Sequence, residues 1–130
     1  MIAALIASAL LVVTGGMSHP ATDTAAVYFT IKNAGPADTL VGAQTTIAGK
    51  TTMHKSMNKM ASMSGMSEVV MDQVSSVPVP ANGEVAFKMG GYHVMLDELA
   101  HPLKAGDTFT LRLHFTHAGW IDVPVSVQPY

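Results

Sequence analysis

Five consecutive residues, Tyr92-His93-Val94-Met95-Leu96, could hold a metal ion. In a β-strand, alternate residues share a face. Val94 and Leu96 are then the core-facing pair, and His93 and Met95 project together from the other side. That sets an imidazole nitrogen and a thioether sulfur in an i, i+2 clamp. Alone the pair says little, because an exposed histidine beside a surface methionine is the ordinary outcome on a strand. Met53-His54, at the end of a short strand, and Met71, inside Val69-Val70-Met71, enlarge the set. Each has a bland reading too, with Met71 as core and His54 as a solvated loop histidine. The conjunction carries more than any member.

The methionines are unusual in number and setting. There are ten, six of them between Met53 and Met71. Methionine commonly fills irregular gaps in cores. That does not suit Met57, Met60, Met63 and Met66, which stand among Lys, Ser, Asn and Gly. They recur every three residues, whereas one helical stripe needs spacings of three and four. The stretch Lys55–Ser67 has no apolar alternation and reads as an exposed Met-rich loop at 55–67. The remaining histidines, His19, His101, His114 and His117, read as solvated.

Composition removes several classes of function. With no cysteine in the sequence there is no disulfide, thiolate zinc site, thiol redox centre, lipidated cysteine or blue-copper ligand set. Only 12% of residues are charged and the formal net charge is -2, so no basic surface for nucleic acid or anionic membrane is present. No nucleophile–base grouping and no phosphate-binding glycine motif can be proposed, and the chain reads as a non-enzyme. The apolar start, MIAALIASALLVV, is too short for a stable membrane span. It resembles the apolar part of a secretory signal with a small-residue cleavage site at Ala7-Ser8-Ala9. Residues 1–9 are therefore expected to be a signal-peptide remnant and 10–130 the folded domain.

The elements that must position the candidate donors are short strands. Ala25–Ile31 alternates, with Val27, Phe29 and Ile31 on one face. Thr108–Phe115 alternates with Phe109, Leu111, Leu113 and Phe115 inward, and Ile121–Val127 repeats the pattern. Further strands are expected at Leu10–Thr14, Thr39–Thr46, Glu68–Val79, Glu84–Phe87 and Tyr92–Leu96, and a turn or single helical turn at Leu96–Leu103. Seven to nine strands with Gly and Pro turns predict an all-β antiparallel sandwich.

These segments resemble the PCu(A)C family of periplasmic copper chaperones. The family signature is a His, later a Met, then 21 residues, then His-x-Met. Here Met71 is followed by 21 residues and His93-Val94-Met95. Ala26-Val27-Tyr28-Phe29-Thr30-Ile31-Lys32-Asn33, Val77-Pro78-Val79-Pro80, Gly90-Gly91-Tyr92-His93-Val94-Met95-Leu96 and Pro102-Leu103-Lys104-Ala105-Gly106-Asp107 also look like family segments. The resemblance covers roughly residues 10–127. It departs first in spacing: ten residues usually separate the first His from the Met, and here sixteen lie between His54 and Met71. The excess falls in the Met-rich stretch, so Met53, Met63 or Met66 are alternative ligands to His54. Where the family carries a Trp and an Arg after its first strand, Met17 and His19 stand nearby.

The resemblance implies a Greek-key, cupredoxin-like sandwich binding Cu(I) through His54, Met71, His93 and Met95. The residue types agree, because Cu(I) is soft and prefers thioether and imidazole donors. Thioethers need no deprotonation and cannot be lost to disulfides in an oxidising compartment. The implied role is an extracytoplasmic metallochaperone. It would deliver copper to the copper centre of cytochrome c oxidase, through subunit II or another assembly factor. A secondary Cu(II) site on one of the other histidines is a further expectation. The competing readings are copper buffering, suggested by the surplus methionines, and a metal-free β-sandwich interaction module.

Overall fold

The computed structural model describes residues 10–60 and 67–129, and the side chains of all of these except 57–60 and 67–71. The expected signal remnant at 1–9 lies outside them. The fold is all-β. Its strands are β1 (Leu11–Ser18), β2 (Ala25–Asn33), β3 (Asp38–Gln44), β4 (Ala48–Met60), β5 (Ser67–Val74), β6 (Val77–Val79), β7 (Gly83–Phe87), β8 (Tyr92–Leu99), β9 (Thr108–Phe115) and β10 (Gly119–Val127). They follow the order β5-β4-β8-β7-β2-β1-β10-β9-β3-β6. Pairing is antiparallel except for β1 with β10 and a single β7–β8 pair. The sheet closes over one core in the manner of a cupredoxin-like sandwich.

Strand alternation builds that core. Val27, Ile31, Leu40, Val94, Leu96, Leu111, Leu113 and Phe115 are fully buried. Phe29 stacks on Phe87 with ring centroids 4.3 Å apart. A buried carboxylate among them is paired by the backbone. Asp38 accepts hydrogen bonds from the backbone N–H groups of Thr39, His117 and Ala118 at 2.7–2.9 Å. Burial pushes its carboxyl up, but these three bonds outweigh burial and hold the pKa below the usual carboxylate range.

Four segments differ most from the sequence reading. Residues 55–60, expected in the Met-rich loop, continue β4 as one side of a hairpin with β5. That arm is held by backbone pairing, which needs no apolar alternation, so the side chains gave no strand signal. The tip at 61–66 lies outside the described residues. The expected run Glu68–Val79 divides at Ser75-Ser76 into β5 and β6, which end up at opposite edges of the sheet order. No Gly or Pro marks that crossing. β8 continues to Leu99, and no helical turn occurs among the described residues between 96 and 103. β1 runs on to Ser18 rather than ending at Thr14.

Candidate metal centre

β4 and β8 run antiparallel with Thr52 opposite Met95, Met53 opposite Val94 and His54 opposite His93. Directly opposite residues on neighbouring strands share a face. Met53 therefore joins Val94 and Leu96 in the core, where it is 5% exposed. It stands on the wrong side of the sheet to meet His54, which corrects its candidacy as a ligand. Thr52, His54, His93 and Met95 share the outer face.

β5 extends that face. Gln73 lies opposite His54, and Met71 lies opposite Ser56. The register thus places Met71 on the face of His54, two residues along the ladder. On the other flank of β8, Ala26 lies opposite Met95. His54, Met71, His93 and Met95 thus lie on one face of three adjacent strands. Met63 and Met66 lie outside the described residues.

The two imidazoles are tied to their own strands and to each other. Their rings stack across the strands, with centroids 5.7 Å apart and 12° between planes. His93 Nδ1 lies 3.3 Å from the Gly91 carbonyl oxygen. A carbonyl can only accept, so Nδ1 carries the proton and Nε2 holds the lone pair. The same carbonyl accepts the Ser56 N–H at 3.0 Å, tying the start of β8 to β4. His54 Nε2 lies 2.9 Å from the Thr52 hydroxyl. His54 Nδ1 is buried with no hydrogen-bond partner among the described residues. An orphaned buried nitrogen is costly unless something fills it. The Thr52 hydroxyl can either accept from Nε2–H or donate to Nε2; in the tautomer where it accepts, Nδ1 presents a lone pair inside the protein, the state a metal ligand requires.

The electrostatics favour that state. Burial, then the neighbouring His93, push the His54 imidazole below its ordinary pKa; Asp97 pulls it up and Lys50 pushes it down again, both by less. His93 is 5% exposed, although the register sets it on the face opposite buried Val94 and Leu96. The stacked His54 ring covers it. Among the described residues no group of three or more His, Asp or Glu converges, so the expected Cu(II) site has no such cluster to occupy. His114 and His101 are committed elsewhere: His114 stacks on Trp120, and His101 Nδ1 bonds the Pro102 carbonyl at 3.0 Å.

Thr52 and Gly91, which orient the rings, were not singled out from the sequence. Thr52 could have been found, since it is two residues before His54 and must share its face. Gly91 acts through its carbonyl, which leaves no side-chain signal.

The fold is that of the PCuAC domains. The copper-bound PCuAC domain from PmoF2 superposes with a TM-score of 0.74 at 16% identity, covering 93% of this chain and 94% of that one. The Cu(I) form of DR1885 from Deinococcus radiodurans is 30% identical, with a TM-score of 0.63 and coverage of 97% and 85%. Within that class, the chain belongs to the family described as "Putative lipoprotein LpqE-like", whose family model matches residues 6–127. A curated relative, "Putative lipoprotein Lxx21020" from Leifsonia xyli subsp. xyli, is 27% identical over 106 residues. The match covers 81% of this chain and 61% of that protein, so the chain spans less than two thirds of its relative's length.

Proposed function

We propose that this protein binds one Cu(I) ion at His54, Met71, His93 and Met95 and carries it as cargo, without catalysing a reaction. The observation that carries the reading is the buried Nδ1 of His54, without a hydrogen-bond partner among the described residues, beside the stacked His93 ring. The register-matched thioethers of Met71 and Met95 complete a donor set of two nitrogens and two sulfurs. Such a set suits a soft monovalent ion and offers little to Mg(II) or Ca(II), which take oxygen donors. Support also comes from copper-bound structures of two PCuAC relatives.

A carrier must bind tightly and still release. Neutral thioethers and imidazoles do both, because no ligand has to be reprotonated for the ion to leave. The site lies on strands next to the sheet edge formed by β5, where an acceptor can approach. We place the protein outside the cytoplasm, in keeping with the lipoprotein description of its family. By the same reading the acceptor is an assembling copper centre, with cytochrome c oxidase as the candidate. Anaerobic Cu(I) titration against a competing chelator, with X-ray absorption at the copper edge, tests the site. One tight equivalent with mixed sulfur and nitrogen scattering is expected. A shell of nitrogen and oxygen alone overturns the assignment. Transfer to an isolated oxidase copper domain, followed by its absorption spectrum, tests the destination.

A further inference from the structure

β1 contains a device that moves one methionine out of the core. Up to Thr14 it pairs in one register with β2: Leu11 opposite Asn33, Val13 opposite Ile31, Thr14 opposite Thr30. After Gly15-Gly16 the register has slipped by one residue, with Met17 opposite Tyr28 and Ser18 opposite Val27. A one-residue slip exchanges the faces of every later side chain. Without it Met17 would oppose buried Val27, the ordinary place for a methionine, and Ser18 would face outward.

The exchange is costly and specifically built. Gly15 sits at φ +70°, a conformation L side chains rarely adopt. A Cβ on Gly16 would clash with the Pro124 carbonyl oxygen. Ser18 is fully buried and its hydroxyl must be satisfied by the Ala26 carbonyl at 2.7 Å. Two glycines and a buried serine are thus used to set a thioether on the outer face.

What surrounds Met17 there is chemically consistent. Met17, His19 and Met89 line one cavity of about 300 Å³ together with Tyr28 and Lys88. Met89 is 73% exposed on the turn between β7 and β8. His19 Nδ1 lies 3.1 Å from the Gln128 carbonyl oxygen. Nδ1 therefore carries the proton and Nε2 is the basic nitrogen, the tautomer a metal-binding histidine takes when its other nitrogen is held by a carbonyl. No carboxylate lines the cavity and Lys88 is its one charged residue. That composition disfavours hard divalent ions and leaves soft-donor binding of a monovalent one.

We propose that Met17, His19 and Met89 form a second, weaker Cu(I) site. It shares none of the residues assigned to the primary site, so the two can fail independently. Both lie on the same outer face. Met17 of β1 faces Tyr28 of β2, and two residues along β2 Ala26 faces Met95 of β8. With neighbouring strands about 4.8 Å apart, β1 and β8 are separated by roughly 10 Å there.

The test is an anaerobic Cu(I) titration of the full chain labelled with ¹³C at the methionine methyls, followed by NMR. Three proteins are compared: wild type, Met17→Leu/Met89→Leu, and His93→Gln/Met95→Leu. In wild type the Met17 and Met89 methyls, identified by their absence from the first variant, should shift with the second equivalent. The first variant should lose affinity for that equivalent more than tenfold and keep the first. The His93→Gln/Met95→Leu protein should lose the tight equivalent and still shift Met17 and Met89. Shifts of Met17 and Met89 in a wild type that has no tight equivalent would sustain this site and sink the primary one. Met17 and Met89 methyls that stay fixed through two equivalents in wild type overturn the proposal. So does a second equivalent held unchanged by Met17→Leu/Met89→Leu, which would assign that equivalent to the Met-rich hairpin.

Discussion

Two histidines of this sheet each stack on a directly opposite partner, and the two pairs differ in what remains unsatisfied. His114 of β9 lies over Trp120 of β10 with centroids 4.3 Å apart and planes 5° apart. Arg112 covers the same indole at 4.9 Å and bonds Asp122 at 3.0 Å. Trp120 is 43% exposed, so water reaches that pair. His54 over His93 is looser, at 5.7 Å, and enclosed, with one nitrogen lacking any partner among the described residues. Stacking of a histidine across two strands is therefore no mark of a site. What separates the two pairs is the buried His54 Nδ1, which has no hydrogen-bond partner among the described residues.

Breaking each pair gives the largest expected contrast. His54→Gln or His93→Gln should weaken Cu(I) binding by more than the roughly 10–100-fold typical of losing an outer-sphere partner. His114→Gln should leave it unchanged. Competition with a chelator of known affinity measures all three. Equal losses in the two pairs would mean that copper binding, if present, does not use the His54 side of the sheet.

The next contrast sets neighbours on one strand against each other. Leu96→Ala removes a fully buried side chain and should cost about 2–5 kcal/mol in urea unfolding. Met95→Leu keeps the bulk and should cost less than about 1.5 kcal/mol while weakening copper binding strongly. If Met95→Leu unfolds the protein and Leu96→Ala does not, the strand faces are assigned the wrong way round.

This contrast is legible in the sequence, because period-two alternation at Tyr92–Leu96 assigns the two faces by residue type. The same holds for Thr108–Phe115 and Ile121–Val127. What was not legible depends on strand neighbours. That Met53 belongs to the core follows from its pairing with Val94, and that Met17 faces outward follows from a slip at Gly15-Gly16. Alternation counted along one strand cannot see either. The β4–β5 arm was missed for another reason, since it pairs through its backbone and its polar residues carry no pattern.

Acid should separate the imidazole pair through stability. The unfolded chain takes up a proton on His54 near its ordinary pKa, and the folded protein resists until lower pH. Between those values the unfolded state binds more protons, so stability falls. Apo stability should be full above about pH 6.5, the unperturbed imidazole value, and decline as pH drops through the folded pKa. Urea unfolding of the apo protein from pH 7.5 to 5 should show that slope, and His54→Gln should flatten it. An unchanged slope in the variant would show that His54 does not titrate as its burial requires.

The smallest effect is expected at the arm, and there too one face can be set against the other. The register puts position 60 on the face that carries His54, and position 57 on the opposite face with position 53. A methionine on the arm would have to order its surroundings around an ion, at about 1–2 kcal/mol for each residue newly fixed. The strands carrying His93 and Met95 met that cost on folding. The arm should therefore raise the local thioether concentration rather than hold copper tightly. Met60→Leu should slow Cu(I) uptake severalfold in stopped-flow transfer from a weak chelator, with the equilibrium affinity of the first ion unchanged. Met57→Leu should leave the rate alone. Equal slowing by both would mean that the arm acts through thioether number and not through facing. Loss of the tight ion in Met60→Leu would make Met60 a primary ligand, and Met71 would then have to be removed from the set.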